Sequence, residues 1–338
     1  MIQTSEWVSC GHPDKMADFI SCYILDRYLT VDPMTRFALE VQIKDQHVTL
    51  GGEITSKAEF SPDEITAFVR TAVELIGYTQ AYQKKFGIEN TICGSELLVT
   101  QHISQQSPDI AQGVNNGGWG DQGIFFGMAV NSPETDFMPK DWYLARKIGK
   151  HLYDIRYAGI DIKTQVTLVN GEVDEIVVAI PMTEKHFDAD VKNAVTFCLG
   201  GAQPKKLYIN GTGRYVKHGP VGDCGTTGRK LAVDFYGGNC KIGGGSPWTK
   251  DGTKADLCLN ILARAKAMAY LASHPECNIV YSALSCRIGS PEVLTVLTDE
   301  TGRELLSYRE SLRVEDVLKD LHLREPRYAS MCMNGLFS

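Results

Sequence analysis

Apolar positions after His12-Pro13 fall at Met16, Ile20, Tyr23 and Ile24, one side of a 3.6-residue repeat, and predict a helix. Proline in its first turn costs nothing, because that backbone N–H has no partner inside the helix. Two β-like runs follow, Arg36–Ile43 and Val48–Ile54, and the Lys44–His47 turn between them predicts a hairpin. Ser61-Pro62-Asp63-Glu64 is a capping box with proline at N1, so a second helix is expected to run to about Gly77. A strand near Ser95–His102 closes this first unit.

The pattern then recurs. A second unit opens with a strand over Ile124–Val130 and a helix over about Pro139–Ile155. Lys163–Val169 and Val173–Ile180 flank Asn170-Gly171, the strongest short hairpin signal. A helix near Glu184–Leu199 and a short strand, Lys206–Ile209, complete it. The third unit reads as a strand over Lys230–Phe235, a helix over about Thr253–Ala272, two strands at Asn278–Leu284 and Val293–Thr298, and a helix near Arg313–Leu321. The order strand, helix, two strands, helix predicts an α+β fold of three similar units, each with helices covering one sheet face. The glycine-rich stretches Gly113–Gly127 and Gly211–Gly245 interrupt it, and glycine lets a backbone approach a ligand closely.

Composition narrows the function. The chain has 338 residues, 43% hydrophobic and 22% charged, as expected of a soluble protein of two or three domains. A formal net charge of −7 argues against nonspecific binding to nucleic acid or to an acidic membrane surface, though not against a locally basic pocket. No apolar run reaches the length of a membrane span, and Met-Ile-Gln-Thr-Ser-Glu has no signal-peptide character, so a cytoplasmic location is expected. The ten cysteines include no C-x-x-C pair and are expected to be reduced, mostly buried small hydrophobes.

Four stretches carry candidate chemistry. Gly11-His12-Pro13-Asp14-Lys15 places an imidazole, a carboxylate and an ammonium at a helix start, where free N–H groups favour phosphate. Asp14 could hold Mg²⁺; the bland alternative is a set of solvated first-turn charges. Gly120-Asp121-Gln122-Gly123 is by itself a turn, and the polar segment at Gln106-Ser107-Pro108-Asp109 lies upstream. Arg214, Tyr215, Asp223, Arg229 and Lys230 bring three cations, a carboxylate and a flat ring together, either as a phosphate grip or as a solvated basic loop. Gly243-Gly244-Gly245-Ser246 runs on to Lys250, Asp251, Lys254 and Asp256. It is not a Walker A sequence, which disfavours an ordinary P-loop fold while leaving a polyphosphate site open.

Taken in order, these stretches resemble the S-adenosylmethionine synthetase, or methionine adenosyltransferase, family. Ser5-Glu6-Trp7-Val8-Ser9-Cys10-Gly11-His12-Pro13-Asp14-Lys15 is similar to its opening motif. Gly120-Asp121-Gln122-Gly123 is similar to its second signature, and Gly219-Pro220-Val221-Gly222-Asp223-Cys224-Gly225-Thr226-Thr227-Gly228-Arg229-Lys230 to its central motif. Asp234-Phe235-Tyr236-Gly237-Gly238 through Gly243-Gly244-Gly245 and Lys250-Asp251 is similar to its glycine-rich signature. Order and spacing agree from residue 3 to about 325.

The resemblance implies three α+β domains around a pseudo-threefold axis, here an N-terminal domain at 1–103, a central domain at 104–228 preceded by a gating loop, and a C-terminal domain at 229–338. It implies adenosyl transfer from ATP to the sulfur of L-methionine, then hydrolysis of tripolyphosphate, with Mg²⁺ and K⁺ as cofactors. It also implies a homodimer or dimer of dimers with shared active sites. By the same resemblance, His12, Lys163, Arg229 and Lys250 take catalytic roles. ATP binding falls to His12, Asp161, Lys163, Arg214, Tyr215, Asp223, Arg229, Lys230, Ser246 and Lys250. Methionine binding falls to Glu53, Gln106, Asp121, Asp223 and Lys254. Asp14 and Asp256 match Mg²⁺ carboxylates and Glu40 the K⁺ ligand, and 106–116 matches a mobile gate.

The chain also departs from the family. Cys10 stands for a glutamate, Ile242 for a histidine and Leu257 for an arginine; Ser246-Pro247-Trp248-Thr249 replaces a smaller run, and Met331–Ser338 lacks the usual aromatic tail. A noncatalytic, ATP- or S-adenosylmethionine-binding regulatory relative is the alternative reading, and an unrelated nucleotide enzyme such as a kinase is a third.

Overall fold

The structure, a computed structural model, describes residues 1–105, 118–155, 158–183 and 188–337. The strands are β1 (Ile2–Val8), β2 (Arg36–Lys44), β3 (His47–Thr55), β4 (Leu98–Ser104), β5 (Gly123–Val130), β6 (Lys163–Val169), β7 (Glu172–Ala179), β8 (Lys206–Ile209), β9 (Gly225–Thr226), β10 (Ile279–Cys286), β11 (Glu292–Thr298) and β12 (Glu304–Ser311). The helices are α1 (Pro13–Val31), α2 (Pro62–Ile76), α3 (Gln80–Phe86), α4 (Lys140–Ile155), α5 (Asp188–Cys198), α6 (Leu231–Asp234), α7 (Ala255–Ser273), α8 (Val314–Asp320) and α9 (Tyr328–Asn334).

These elements form three four-stranded sheets, ordered β4-β3-β2-β9, β1-β6-β7-β8 and β12-β11-β10-β5. In the first, β9 pairs antiparallel with β2, β2 antiparallel with β3, and β3 parallel with β4. The second repeats this sequence of pairings through β1, β6, β7 and β8. The third is antiparallel throughout. The fold is therefore α+β in three similar layers, as expected.

The local chemistry explains the accurate elements. The capping box at Ser61 is formed in both directions, and the Gly77 amide closes α2 on the Val73 carbonyl. Asn170 and Gly171 both have positive φ, 53° and 82°, which the tight β6–β7 turn requires. Two expectations fail. Lys230–Phe235 is not a strand: Leu231–Asp234 is a short helix, with the Asp234 amide bonded to the Lys230 carbonyl and that of Phe235 to Leu231. Val233 and Phe235 find burial without a ladder partner, since the edge of the third sheet is β5. Nor does Ile124–Val130 open the sheet of the middle segment. As β5 it pairs with β10, while β1 from the chain's start pairs with β6.

Helix α1 lies among α2, β2, β9 and α9 and is buried around its girth. Met16, Ile20, Ile24 and Leu25 have no exposed surface, each contributing about 2 kcal/mol of apolar burial. Asp14, Lys15, Asp18 and Asp26 are buried on the same helix, so each must find a partner in the protein. Asp26 accepts hydrogen bonds from the amides of Tyr328 and Ala329, both 2.9 Å, and so docks the start of α9.

Among the described residues no helix is long and apolar enough to cross a membrane. The ten cysteines are free and seven are buried, in accord with the reading of reduced hydrophobes.

Candidate active site

The site begins where the loop after β1 turns into α1. His12 caps the helix: its Nδ1 accepts from the Asp14 amide at 3.1 Å, which leaves the ring proton on Nε2. Burial, then the charges of Lys230 and Lys163, push the His12 pKa down to about 3, so the ring is a neutral donor at physiological pH.

Asp14 is 1% exposed, which rules out solvated first-turn charges here. Its Oδ1 accepts from the Thr226 amide at 2.9 Å and its Oδ2 from Lys230 Nζ at 2.5 Å, with Arg229 at 3.7 Å. Burial opposes ionisation, yet Lys230 and the Thr226 amide outweigh it and the Asp14 pKa is lowered. The carboxylate is thus held charged inside the protein. Strand β9 can reach it because Gly225 has no side chain: a Cβ there would lie 2.2 Å from the Pro13 carbonyl oxygen. Next along, the Thr227 hydroxyl donates to Glu40 on β2.

A second wall comes from two loops. Asp161 Oδ2 accepts from the Gly219 amide at 2.8 Å, while among the described residues its buried Oδ1 has no hydrogen-bond partner. Burial raises the Asp161 pKa to about 6. Lys163 and Asp223 both act electrostatically on His12 and on Asp161, which places them beside this wall. Arg214 and Tyr215 line a cavity of about 420 Å³ with Met182, Thr183, Asn210 and Val216.

The remaining candidates gather elsewhere. Lys250 Nζ lies 2.7 Å from Asp256 Oδ2, and the Gly245 amide donates to Asp256 Oδ1 at 2.8 Å. Asp121 adjoins them: its carbonyl accepts the Cys286 thiol at 3.4 Å, and Asp121 and Asp256 both add to the burial that pushes that thiol's pKa up to about 11. Strand β2 links the two groups. Ala38 bridges to Lys250 on one side and to Glu53 on the other, while Glu40, two residues on, meets Thr227. Ser246 sits against Gly228, within 3.0 Å of where a Cβ would be. Lys254 is tied to buried Asp251 at 2.7 Å, and Gln106 and the gate at 106–116 lie outside the described residues.

Sequence reasoning singled out Lys15 as a charge at the helix start but did not see what it pairs with. Lys15 is buried between Asp18 (3.0 Å) and Asp234 (2.6 Å), its ammonium 4.7 Å from the Trp248 ring centroid. The Gly228 amide donates to Asp18 at 2.9 Å, so this ion cluster anchors the loop carrying Arg229 and Lys230. The i, i+3 spacing of Lys15 and Asp18 was a signal; Asp234 is 219 residues away and gave none. Three departures point inward: Cys10, Trp248 and Leu257 are at most 5% exposed, and Cys10 meets the Cys332 carbonyl of α9. Among the described residues no three His, Cys, Asp or Glu side chains form a ready-made metal cage.

The arrangement can hold a strongly anionic ligand: a neutral imidazole donor, several cations and two carboxylates, each already countered by a lysine. Comparison with known proteins shows what the chain is similar to. Family models described as the N-terminal, central and C-terminal domains of S-adenosylmethionine synthetase match residues 1–108, 116–215 and 217–338. The S-adenosylmethionine synthase of Brachyspira hyodysenteriae is 35% identical, with 99% of this chain and 92% of that protein aligned. That of Clostridium tetani is 34% identical, with 99% and 93% aligned. Among solved structures, an S-adenosylmethionine synthetase from Campylobacter jejuni, described as unusual, superposes with a TM-score of 0.84 at 30% identity, over 99% of this chain and 94% of that one.

Proposed function

Because the chain belongs to the S-adenosylmethionine synthetase family, we propose that it transfers the adenosyl group of ATP to L-methionine and then hydrolyses the released tripolyphosphate to pyrophosphate and phosphate. The observation that carries the reading is His12, buried, neutral and protonated on Nε2, beside a charged Asp14 ringed by Lys230 and Arg229.

In this reaction a sulfur lone pair forms the S–C5′ bond, the C5′–O bond breaks, and its electrons go to the triphosphate oxygen. Charge grows on that oxygen, so a donor fixed in place beforehand lowers the barrier most. His12 Nε2–H supplies it, and Lys163, Arg229 and Lys250 compensate the triphosphate. Asp161, Arg214, Tyr215, Asp223, Lys230 and Ser246 hold the nucleotide. The Oδ1 of Asp161, unpartnered among the described residues, offers a buried acceptor to a ligand hydroxyl or amine. Glu53, Gln106, Asp121, Asp223 and Lys254 hold methionine so that sulfur lies in line with the breaking bond.

Mg²⁺ suits Asp14 and Asp256. It keeps several waters and phosphate oxygens, so a single protein carboxylate for each ion is a fitting donor set, and both carboxylates now carry a lysine that a cation can displace. Bound there, it would neutralise phosphate charge. Glu40 would hold K⁺. The division into 1–103, 104–228 and 229–338, cytoplasmic operation, and a homodimer or dimer of dimers whose sites draw on both copies belong to the same proposal.

The test is to incubate the purified chain with ATP, methionine, Mg²⁺ and K⁺ and identify products by mass spectrometry. S-adenosylmethionine with pyrophosphate and phosphate is expected. Nucleotide binding without turnover would favour the regulatory alternative, and ADP would point to a kinase.

A further inference from the structure

Two loops form the wall around the buried Asp161 carboxylate, and a part of the protein with no role so far holds them together. Helix α3 presents Tyr82 and Phe86 to the ring of His218, which is 1% exposed. The Tyr82 hydroxyl accepts from the Ile160 amide at 3.0 Å. It lies 2.6 Å from His218 Nε2, and His218 Nδ1 lies 2.6 Å from the Val216 carbonyl oxygen. A carbonyl can only accept, so Nδ1 carries the proton and Nε2 receives the one from Tyr82. The chain of bonds runs from the amide next to Asp161, through Tyr82 and His218, to the residue after Tyr215. It has one consistent set of proton positions.

Asp161 and Tyr215 are also joined directly, the Tyr215 hydroxyl lying 3.4 Å from the Asp161 carbonyl, and the Gly219 amide reaches the Asp161 carboxylate. The spacing of the two loops therefore depends on bonds at both ends. Removing the Tyr82 hydroxyl leaves the Ile160 amide and His218 Nε2 without their shared partner. Buried polar groups so deprived recover bonds by moving. If the second loop moves it carries Tyr215 and Val216 of the cavity; if the first moves it carries the Asp161 carboxylate that the Gly219 amide holds.

We propose that Tyr82 and His218 are positioning residues for the nucleotide, fixing the distance between the Asp161 loop and the Tyr215 loop without touching the ligand. The inference rests on the proposed function only in taking that wall as an adenine-nucleotide site.

The experiment is calorimetric titration of the full-length protein with the nonhydrolysable ATP analogue AMP-PNP and Mg²⁺, well below the melting temperature of each variant. Tyr82→Phe keeps the ring and loses the bond, and about tenfold weaker binding is expected, with folded-state circular dichroism unchanged. His218→Gln restores an acceptor near Nε2 and is expected to lose only about two- to threefold. Wild-type affinity in folded Tyr82→Phe overturns the proposal, as does an equal loss in both variants, since a purely structural role would lower stability without that ranking. If Tyr82→Phe does not fold, His218→Leu carries the same expectation of about a tenfold loss. A wild-type protein that binds the analogue with this ranking but makes no S-adenosylmethionine ends the proposed reaction and leaves this inference standing. One that binds no adenine nucleotide ends both.

Discussion

At the scale of single residues, the site is governed by which charges are buried and what answers them. Asp14 and Asp251 are both buried carboxylates held ionised by a lysine and backbone amides, whereas burial, with the charge of Asp234 adding to it, pushes Asp18 up to about 8. His218 allows a clean measurement. Burial lowers its pKa to about 4 in the folded protein, against 6.5 in the unfolded chain. Between those values the unfolded state binds the extra proton, so the stabilisation is complete above pH 6.5 and is lost as pH falls. Raised carboxyls such as Asp161 act in the opposite sense over part of this range, so the difference from a variant is the quantity to read. On going from pH 7 to pH 5, wild type is expected to lose about 2 kcal/mol more than His218→Gln in urea unfolding. Equal losses would mean that the ring is protonated in the fold. At this scale the sequence was informative wherever charged residues were neighbours, as at Asp14-Lys15. It was silent on pairs closed by distant chain, such as Lys15–Asp234 and Tyr82–His218.

At the scale of elements, the helices and hairpins with strong local signals were legible: the capping box of α2, the Asn170-Gly171 turn and the apolar stripe of α1. Elements defined by their neighbours were not. Strand β9 is two residues long and exists because Gly225 and Thr226 find Ile43 and Gln42. Strand β12 is an edge with no fully buried position, and α9 is docked by Asp26 from a helix some 300 positions earlier in sequence. The same dependence makes β9 vulnerable. Gly225→Ala would force a methyl group against the Pro13 carbonyl, push β9 away from α1 and take the Thr226 amide off Asp14. A destabilisation of about 3 kcal/mol is expected in thermal or urea unfolding. An unchanged transition would show that the strand has room to spare.

For the molecule as a whole, the sequence showed a threefold repetition but not the exchange of strands that joins the repeats. The two carboxylates assigned to Mg²⁺ belong to different clusters, Asp14 with Lys230 and Asp256 with Lys250. If one active site takes the first cluster from one copy and the second from another, two dead variants should repair each other. Refolding His12→Ala together with Lys250→Ala is expected to restore about a quarter of wild-type activity, since half the dimers are mixed and each has one intact site of two. No recovery would place both clusters of a site in a single chain.

The pairing of β1 with β6 also sets a timetable. Ile2 lies opposite Val169, so β1 has no partner until the chain through β6 has left the ribosome. At ordinary translation speeds that is a wait of about ten seconds or more. Trp7 and Val8 spend it without their sheet, and a holdase that recognises extended apolar segments would find its client in the still unpaired β1.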